Sequence, residues 1–235
     1  MSLFGIIASG ISGHLTLPSY TDDFSADNWS DIGSLIAVNT GTGVMDWDGT
    51  RVVDHGSHLD LQTAEPNGIG KNASDTSWVL RFKLTTDTVT QAGSGAGEII
   101  SWGLSKDDKN SEGTIGQEHI VLSAFVAVTN KKYNSTVNET ADMLTNMQAF
   151  VHEPSVETIY VEIIRVSATV VTMELFSNSS YTTSIEIETD GASSTINDLR
   201  YIRVTGFDAL DPAAGNVYQG TLDDLAFYDG VTSAP

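Results

Sequence analysis

The closing stretch Gly220-Thr-Leu-Asp-Asp-Leu-Ala-Phe-Tyr-Asp-Gly230 decides the fold expected of this chain. Leu225 and Phe227 alternate with other residues and share one face, and Asp223 shares that face at the start of the strand. The pattern predicts a β-strand lying on an apolar core. Asp is depleted in strands, and a carboxylate near a core needs a partner. The pair Asp223 and Asp224 therefore either stays in water or holds a cation.

Other segments repeat this kind of alternation. The clearest is Ser77-Trp-Val-Leu-Arg-Phe-Lys-Leu84, in which the apolar residues face one side and Arg81 and Lys83 face the other. Short segments of this type, separated by turns rich in Ser, Thr, Gly, Asn and Asp, predict an all-β sandwich or barrel of about a dozen strands. The chain has 235 residues and no linker, so residues 19–235 are expected to form one domain.

Composition excludes several classes of function. The 11 basic and 31 acidic residues give a net charge of −20, which disfavours binding to nucleic acid and to anionic membranes. No apolar run approaches the ~20 residues of a membrane helix, so membrane insertion is not expected. The absence of cysteine excludes disulfides and cysteine-ligated zinc. The first residues lack a basic segment, and no signal peptide is recognised.

Residues 1–18 form an apolar arm that ends at Pro18. The arm is either an edge strand of the domain or a segment that docks on a neighbouring subunit by strand addition. In the second case it would build a homo-oligomer, and both interpretations stay open.

Several short motifs, taken together, resemble the concanavalin A-like lectin/glucanase superfamily. They are Asp22-Asp-Phe24 followed by Trp29, His58-Leu-Asp-Leu61, Ser77-Trp-Val-Leu-Arg-Phe82, and Gly220-Thr-Leu-Asp-Asp-Leu225 followed by Tyr228. The match is most similar to the laminin G-like jelly rolls of cell surfaces and viral structural proteins, and it spans residues 20–230. The resemblance implies two antiparallel sheets packed as a sandwich. It also implies an extracellular, cell-surface or virion location.

The resemblance further implies a structural Ca²⁺ that joins the first and last strands. Its ligands would fall near Asp23, on Gly56 and on Asp223. Carboxylate and carbonyl oxygens are the ligands that calcium prefers. The alternative is that these acids are solvated turn residues.

Catalytic members of the superfamily carry Glu, Asp and Glu at alternate positions of one strand, and this triplet is absent here. The nearest sequence is Glu186-Ile-Glu188-Thr-Asp190, whose acids are expected to face solvent while Ile185 and Ile187 turn inward. We therefore expect a non-catalytic protein, with a glycoside hydrolase or lyase as the enzyme alternative.

Two polar loops, 105–117 and 130–147, are the expected ligand-binding elements because loop acids and amides bond sugar hydroxyls and an aromatic ring can stack on the sugar. The candidate ligand-binding residues are Trp102, Asp107, Asp108, Asn110 and Tyr133. Core packing is the alternative for Trp102. The sequence thus predicts a lectin-like sandwich that binds glycans or neighbouring subunits, and the alternative is a purely structural assembly protein that uses the arm.

Overall fold

The structure is a computed structural model that describes residues 17–32, 36–47, 56–64, 66–90, 96–107, 118–127, 131–138, 147–192, 196–206 and 217–235. These residues form fifteen β-strands and no helix. Consequently, the described part of the chain contains no helix long and apolar enough to span a membrane. Residues 1–16, most of the predicted arm, lie outside the described residues.

The strands, numbered in chain order, form two sheets. The first sheet runs, in spatial order, β13 (Ser184–Gly191), β12 (Val170–Phe176), β11 (Thr158–Ser167), β6 (Trp78–Thr90), β15 (Val217–Asp229), β4 (Val44–Trp47) and β3 (Ile36–Asn39), and β1 (Tyr20–Asp22) also pairs with β15. The second sheet runs β10 (Met147–Ala149), β9 (Lys131–Asn138), β8 (His119–Ala127), β7 (Ala96–Ser105), β14 (Tyr201–Gly206), β5 (Gly56–Asp60) and β2 (Ser30–Ile32).

Every strand pair in both sheets is antiparallel. One apolar cluster draws on both sheets, because alternate residues of each strand point toward the other sheet. The predicted two-sheet antiparallel sandwich is therefore confirmed.

Aromatic residues fill the centre of this core. Trp102 lies edge-on to Trp47 at 5.3 Å between ring centres, and Tyr218 stacks on Trp47 at 6.1 Å. The Tyr218 hydroxyl hydrogen-bonds with that of Thr86 at 2.9 Å and with that of Tyr133 at 3.0 Å. These pairings let tyrosine hydroxyls be buried without losing their hydrogen bonds.

Strand β15 does not keep one alternation along its length. Leu222 and Leu225 both face the core, and between them the register with β6 shifts by one residue. This β-bulge turns Asp223 to the outer face, opposite Lys83, and so corrects the expectation that Asp223 shares the face of Leu225. Asp224 takes the extra position with φ of 53°, a left-handed conformation that Asp tolerates better than most residues.

The N-terminal end of the described chain is fixed against β15. The Ser19 amide donates to the Phe227 carbonyl at 2.7 Å, and β1 continues that pairing. The buried carboxylate of Asp22 accepts from the Tyr20 hydroxyl at 2.8 Å, from Trp29 Nε1 at 2.8 Å and from the Phe24 amide at 2.7 Å. Three donors therefore satisfy this carboxylate without a cation.

In strand β13 the acidic side chains and Ile187 lie on the faces opposite to those that the sequence predicts. Glu186, Glu188 and Asp190 pair with residues of β12 that belong to the core, so the acids point inward rather than to solvent. Ile187 is 53% exposed, which corrects the expectation that it turns inward, whereas Ile185 packs against the core as expected. The register shift at the start of the β12–β13 pairing explains how Ile185 and Glu186 both face inward.

Candidate functional site

A pocket of about 280 Å³ opens on the outer face of the first sheet, next to the bulge. We call it the tyrosine pocket. It is lined by Arg81, Tyr160, Ser179, Ser180, Tyr181, Asp224, Ala226, Tyr228 and Pro235. Its volume is just below the ~300 Å³ at which ligand pockets usually begin, which suits a ligand of one or two rings.

Neighbouring strands place the pocket's side chains by their register. Arg81 of β6 lies between Glu162 of β11 and Ala226 of β15, and all three face outward. Tyr160 lies one row further along β11, opposite Lys83. The bulge shifts β15 so that Asp224 reaches the rim of the pocket, where it is exposed.

Arg81 is held firmly at the floor of the pocket. Its Nε donates to Glu162 Oε2 at 2.6 Å, and one Nη donates to the Pro235 carbonyl at 2.6 Å. Its guanidinium lies over the Tyr181 ring, 4.2 Å from the ring centre. The ion pair and the cation–π contact together fix both Arg81 and the ring.

The turn between β12 and β13 presents Tyr181. The Tyr181 amide donates to the Asn178 carbonyl at 3.1 Å, and Tyr181 has φ of 52°. Its ring meets Phe176 at 5.4 Å and Tyr160 at 6.0 Å between ring centres. Burial raises the pKa of the Tyr181 hydroxyl well above its usual value.

The sequence did not single out this pocket. Its residues come from β6, β11, β15 and one turn, and most of them read as ordinary outward-facing positions of strands. The paired Asp223 and Asp224 were the signal available, because two acids within an alternating strand mark a break in that alternation.

The predicted calcium ligands lie in different surroundings. Asp223 Oδ2 accepts from Lys83 Nζ at 2.9 Å, and this hydrogen bond raises the pKa of Lys83. Asp23 is exposed, and its carboxylate accepts from the Ser25 amide at 3.0 Å. Gly56 lies in the second sheet, paired with Thr205 and Ile32.

The expected calcium site combines the Asp223 carboxylate with oxygens near Asp23 and on Gly56, and nothing in these contacts tests it. Lys83 already supplies the positive charge that Asp223 needs, and within the described ranges no group of three or more acids or histidines could hold a metal. The calcium ion stays a prediction.

The predicted ligand-binding residues are mostly inside the protein or outside the described ranges. Trp102 is 1% exposed and Tyr133 is 0% exposed, so burial corrects the expectation that either ring stacks on a sugar at the surface. Asp107 is half-buried, and its carbonyl accepts from the Ser105 hydroxyl at 2.8 Å. Asp108 and Asn110 lie outside the described residues.

The second sheet carries a row of small polar side chains on its outer face. The row crosses four strands through Thr205, Ser101, Ser123 and Asn134. All four are buried, and the Ser101 and Ser123 hydroxyls have no hydrogen-bond partner in the described part of the chain. This row is polar but closed to solvent, whereas the tyrosine pocket is open.

The inward-facing acids of β13 form a third group. Asp190 is 6% exposed, and its Oδ2 has no partner among the described residues. Burial, with a smaller contribution from the nearby Glu188 charge, raises the pKa of Asp190 to about 6. The Glu186 carboxylate accepts from the Val151 amide at 2.8 Å and from the His152 amide at 2.7 Å, which gives it a structural role.

No protein-family model and no curated protein matches the sequence. Solved structures do match its fold. The CBM2 module of the evolved Dit protein of Lactobacillus casei BL23 phage J-1 matches with a TM-score of 0.59 at 10% identity, covering 92% of this chain and 97% of the other. Lectin II from Ulex europaeus matches with a TM-score of 0.58 at 12% identity, covering 89% and 97%.

An enzyme is also among the similar structures. The alginate lyase A1-II', a member of polysaccharide lyase family 7, matches with a TM-score of 0.53 at 11% identity, covering 89% of this chain and 97% of the other. At such identities the likeness concerns the fold alone. The chain has the concanavalin A-like jelly-roll fold that the sequence resemblance implied.

Proposed function

We propose that the protein is a non-catalytic carbohydrate-binding sandwich and that the tyrosine pocket holds the sugar. The observation that carries the proposal is the convergence of three tyrosines, a carboxylate and two serines on one open pocket. A sugar ring needs an aromatic surface for its C–H groups and carboxylate or hydroxyl oxygens for its hydroxyls. The pocket offers both.

The similar structures support this proposal at the level of its class. They include a lectin and a CBM2 module, and the second comes from a phage protein. A place on a cell surface or virion, as the sequence resemblance implied, is part of the proposal.

Binding to a glycan array tests the proposal directly. Wild-type protein is compared with Tyr160→Ala, which removes one aromatic wall of the pocket, and with Ile187→Ala, which removes an exposed side chain from the edge of the same sheet. We expect about a fivefold or larger loss of affinity for Tyr160→Ala, since an aromatic contact contributes about 1 kcal/mol beyond its buried area. Ile187→Ala should bind as wild type does.

Two results would count against the proposal. One is that wild-type protein binds no glycan, and the other is that Tyr160→Ala binds as tightly as wild type. Melting temperatures of both variants show whether a loss comes from unfolding.

The structural alternative concerns the N-terminal arm. Leu17 is 78% exposed where the described chain begins, beside β15, so an apolar residue lies on the surface at the base of the arm. Removal of residues 1–16 should lower the oligomeric state in size-exclusion chromatography if the arm joins subunits. An unchanged elution volume, corrected for mass, would argue against that role.

The enzyme alternative rests on the inward-facing acids and on the likeness to an alginate lyase. Asp190 is only 6% exposed, which gives a polysaccharide little access to that carboxylate. We therefore favour binding over catalysis. Release of reducing sugar or unsaturated product from any glycan that the array identifies would reverse this preference.

A further inference from the structure

We infer that the tyrosine pocket selects sugars without a carboxylate, that it binds amino sugars more tightly than their neutral parents, and that Asp224 makes this selection. The inference rests on the proposed function and goes further by naming the class of sugar. The charged side chains around the pocket lie in rows across the outer face of the first sheet.

Both basic groups that the described residues place near the pocket are already paired. Arg81 forms its ion pair with Glu162 at 2.6 Å, and Lys83 forms its ion pair with Asp223 at 2.9 Å. Each base is therefore already neutralised by a carboxylate, and a sugar carboxylate would have to share the base or displace its partner. Breaking a partly buried pair of this kind leaves an uncompensated charge, which is costly.

The charge that remains around the pocket is negative. Asp224 lies exposed at the rim, and no basic side chain in the described ranges forms an ion pair with it. Glu174 adds a second carboxylate in the row of Glu162 and Arg81. This part of the face carries four acids and two bases, so its formal charge is −2. The acids are Glu162, Glu174, Asp223 and Asp224, and the bases are Arg81 and Lys83. The field repels a uronic acid and attracts an ammonium group.

The β-bulge in β15 brings Asp224 to the pocket. The bulge inserts one residue into β15, and Asp224 adopts its left-handed conformation there. Bulges often redirect a side chain at a functional site. Asn tolerates the same backbone conformation as Asp, so Asp224→Asn removes the charge and keeps the bulge.

The experiment titrates isotope-labelled protein with matched sugars and follows backbone amide shifts by NMR. The probes are glucose, glucosamine and glucuronate, with the corresponding galactose and mannose sets. Shifts at Ser179, Ser180 and Asp224 report binding in the pocket. In wild type we expect the amino sugar to bind about two- to fivefold more tightly than the neutral sugar, and the uronate to bind more weakly by a similar factor, as for one exposed charge pair. Added salt should reduce both differences.

Two variants separate the causes. Asp224→Asn should bring the three affinities of each set together. Asp87→Asn is the matched control, because Asp87 is an exposed acid of β6 that lies six residues from Arg81, about 20 Å along the strand. It should leave the order of affinities unchanged.

Each outcome bears on a different claim. If no sugar of any set shifts the pocket amides, the proposed function fails. If sugars bind but uronates bind as tightly as neutral sugars, or if Asp224→Asn preserves the order, this inference fails while the proposed function stands.

Discussion

Asp190 is expected to make the protein less stable as pH rises through the weakly acidic range, and Asp190→Asn should remove this dependence. Burial and the charge of Glu188 raise the pKa of Asp190 from 3.8 to about 6 in the folded protein. The folded state therefore keeps a proton between pH 4 and 6 that the unfolded state has lost. Stability falls wherever the folded state binds more protons, so this carboxyl contributes a loss that begins near pH 4 and is complete above pH 6.

The size of the effect follows from the difference between the two pKa values. That difference is about two pH units, and each unit corresponds to about 1.4 kcal/mol, so the loss is at most about 3 kcal/mol. Asn has nearly the same shape and no charge. The free energy of unfolding of Asp190→Asn minus that of wild type should rise by ~2–3 kcal/mol between pH 4 and pH 7 and then stay constant.

Urea denaturation at half-unit steps from pH 4 to pH 8 measures this difference. Its change with pH is the decisive quantity, because the cost of burying an amide adds the same offset at every pH. Asp87→Asn, which removes an exposed acid of the same sheet, is the matched control. A difference for Asp190→Asn that changes with pH no more than the control's would refute the reasoning.

Three further predictions concern the fold and the metal. Asp22→Ala leaves the donors of Tyr20, Phe24 and Trp29 without their acceptor, and it should lower the free energy of unfolding, measured in urea, by about 3 kcal/mol. The control Asp23→Ala removes an exposed carboxylate and should change the free energy of unfolding by less than ~0.5 kcal/mol. Equal losses for the two variants would contradict the role given to Asp22. Gly220→Ala would drive a Cβ into the Thr85 carbonyl and should cost about 2 kcal/mol or more, while Gly191→Ala, with open space around it, should be nearly neutral in the same assay. If the predicted Ca²⁺ binds, saturating chelator lowers the melting temperature, and an unchanged melting temperature ends that prediction.

The sequence predicted the architecture well because alternation reports directly on which face of a strand is buried. Strand β6 is the clearest case: its apolar residues alternate from Trp78 to Leu84, and all of them are buried in the structure. The same reasoning placed Asp223 on the wrong face, since a bulge shifts the alternation by one residue and the pair Asp223 and Asp224 was not interpreted as its sign.

The candidate site was harder to predict because distant segments build it. Tyr181 belongs to a turn, and Tyr160 and Tyr228 belong to strands separated from each other by β6. Only the register of three strands brings these rings together. Trp102 and Tyr133 looked like ligand-binding aromatics because they border polar loops, but neighbouring loops do not determine whether a ring faces the core.

The inward-facing acids of β13 also bear on how the protein behaves at high concentration. Among the described strands β13 is the last of its sheet, so its outer backbone groups could pair with the edge of another molecule. A second β13 added there would bring two sets of carboxylates together, and their repulsion should keep concentrated protein dispersed at neutral pH. Acidification through the pKa of Asp190, which is about 6, neutralises this carboxylate, and light scattering should then show more aggregation than at neutral pH.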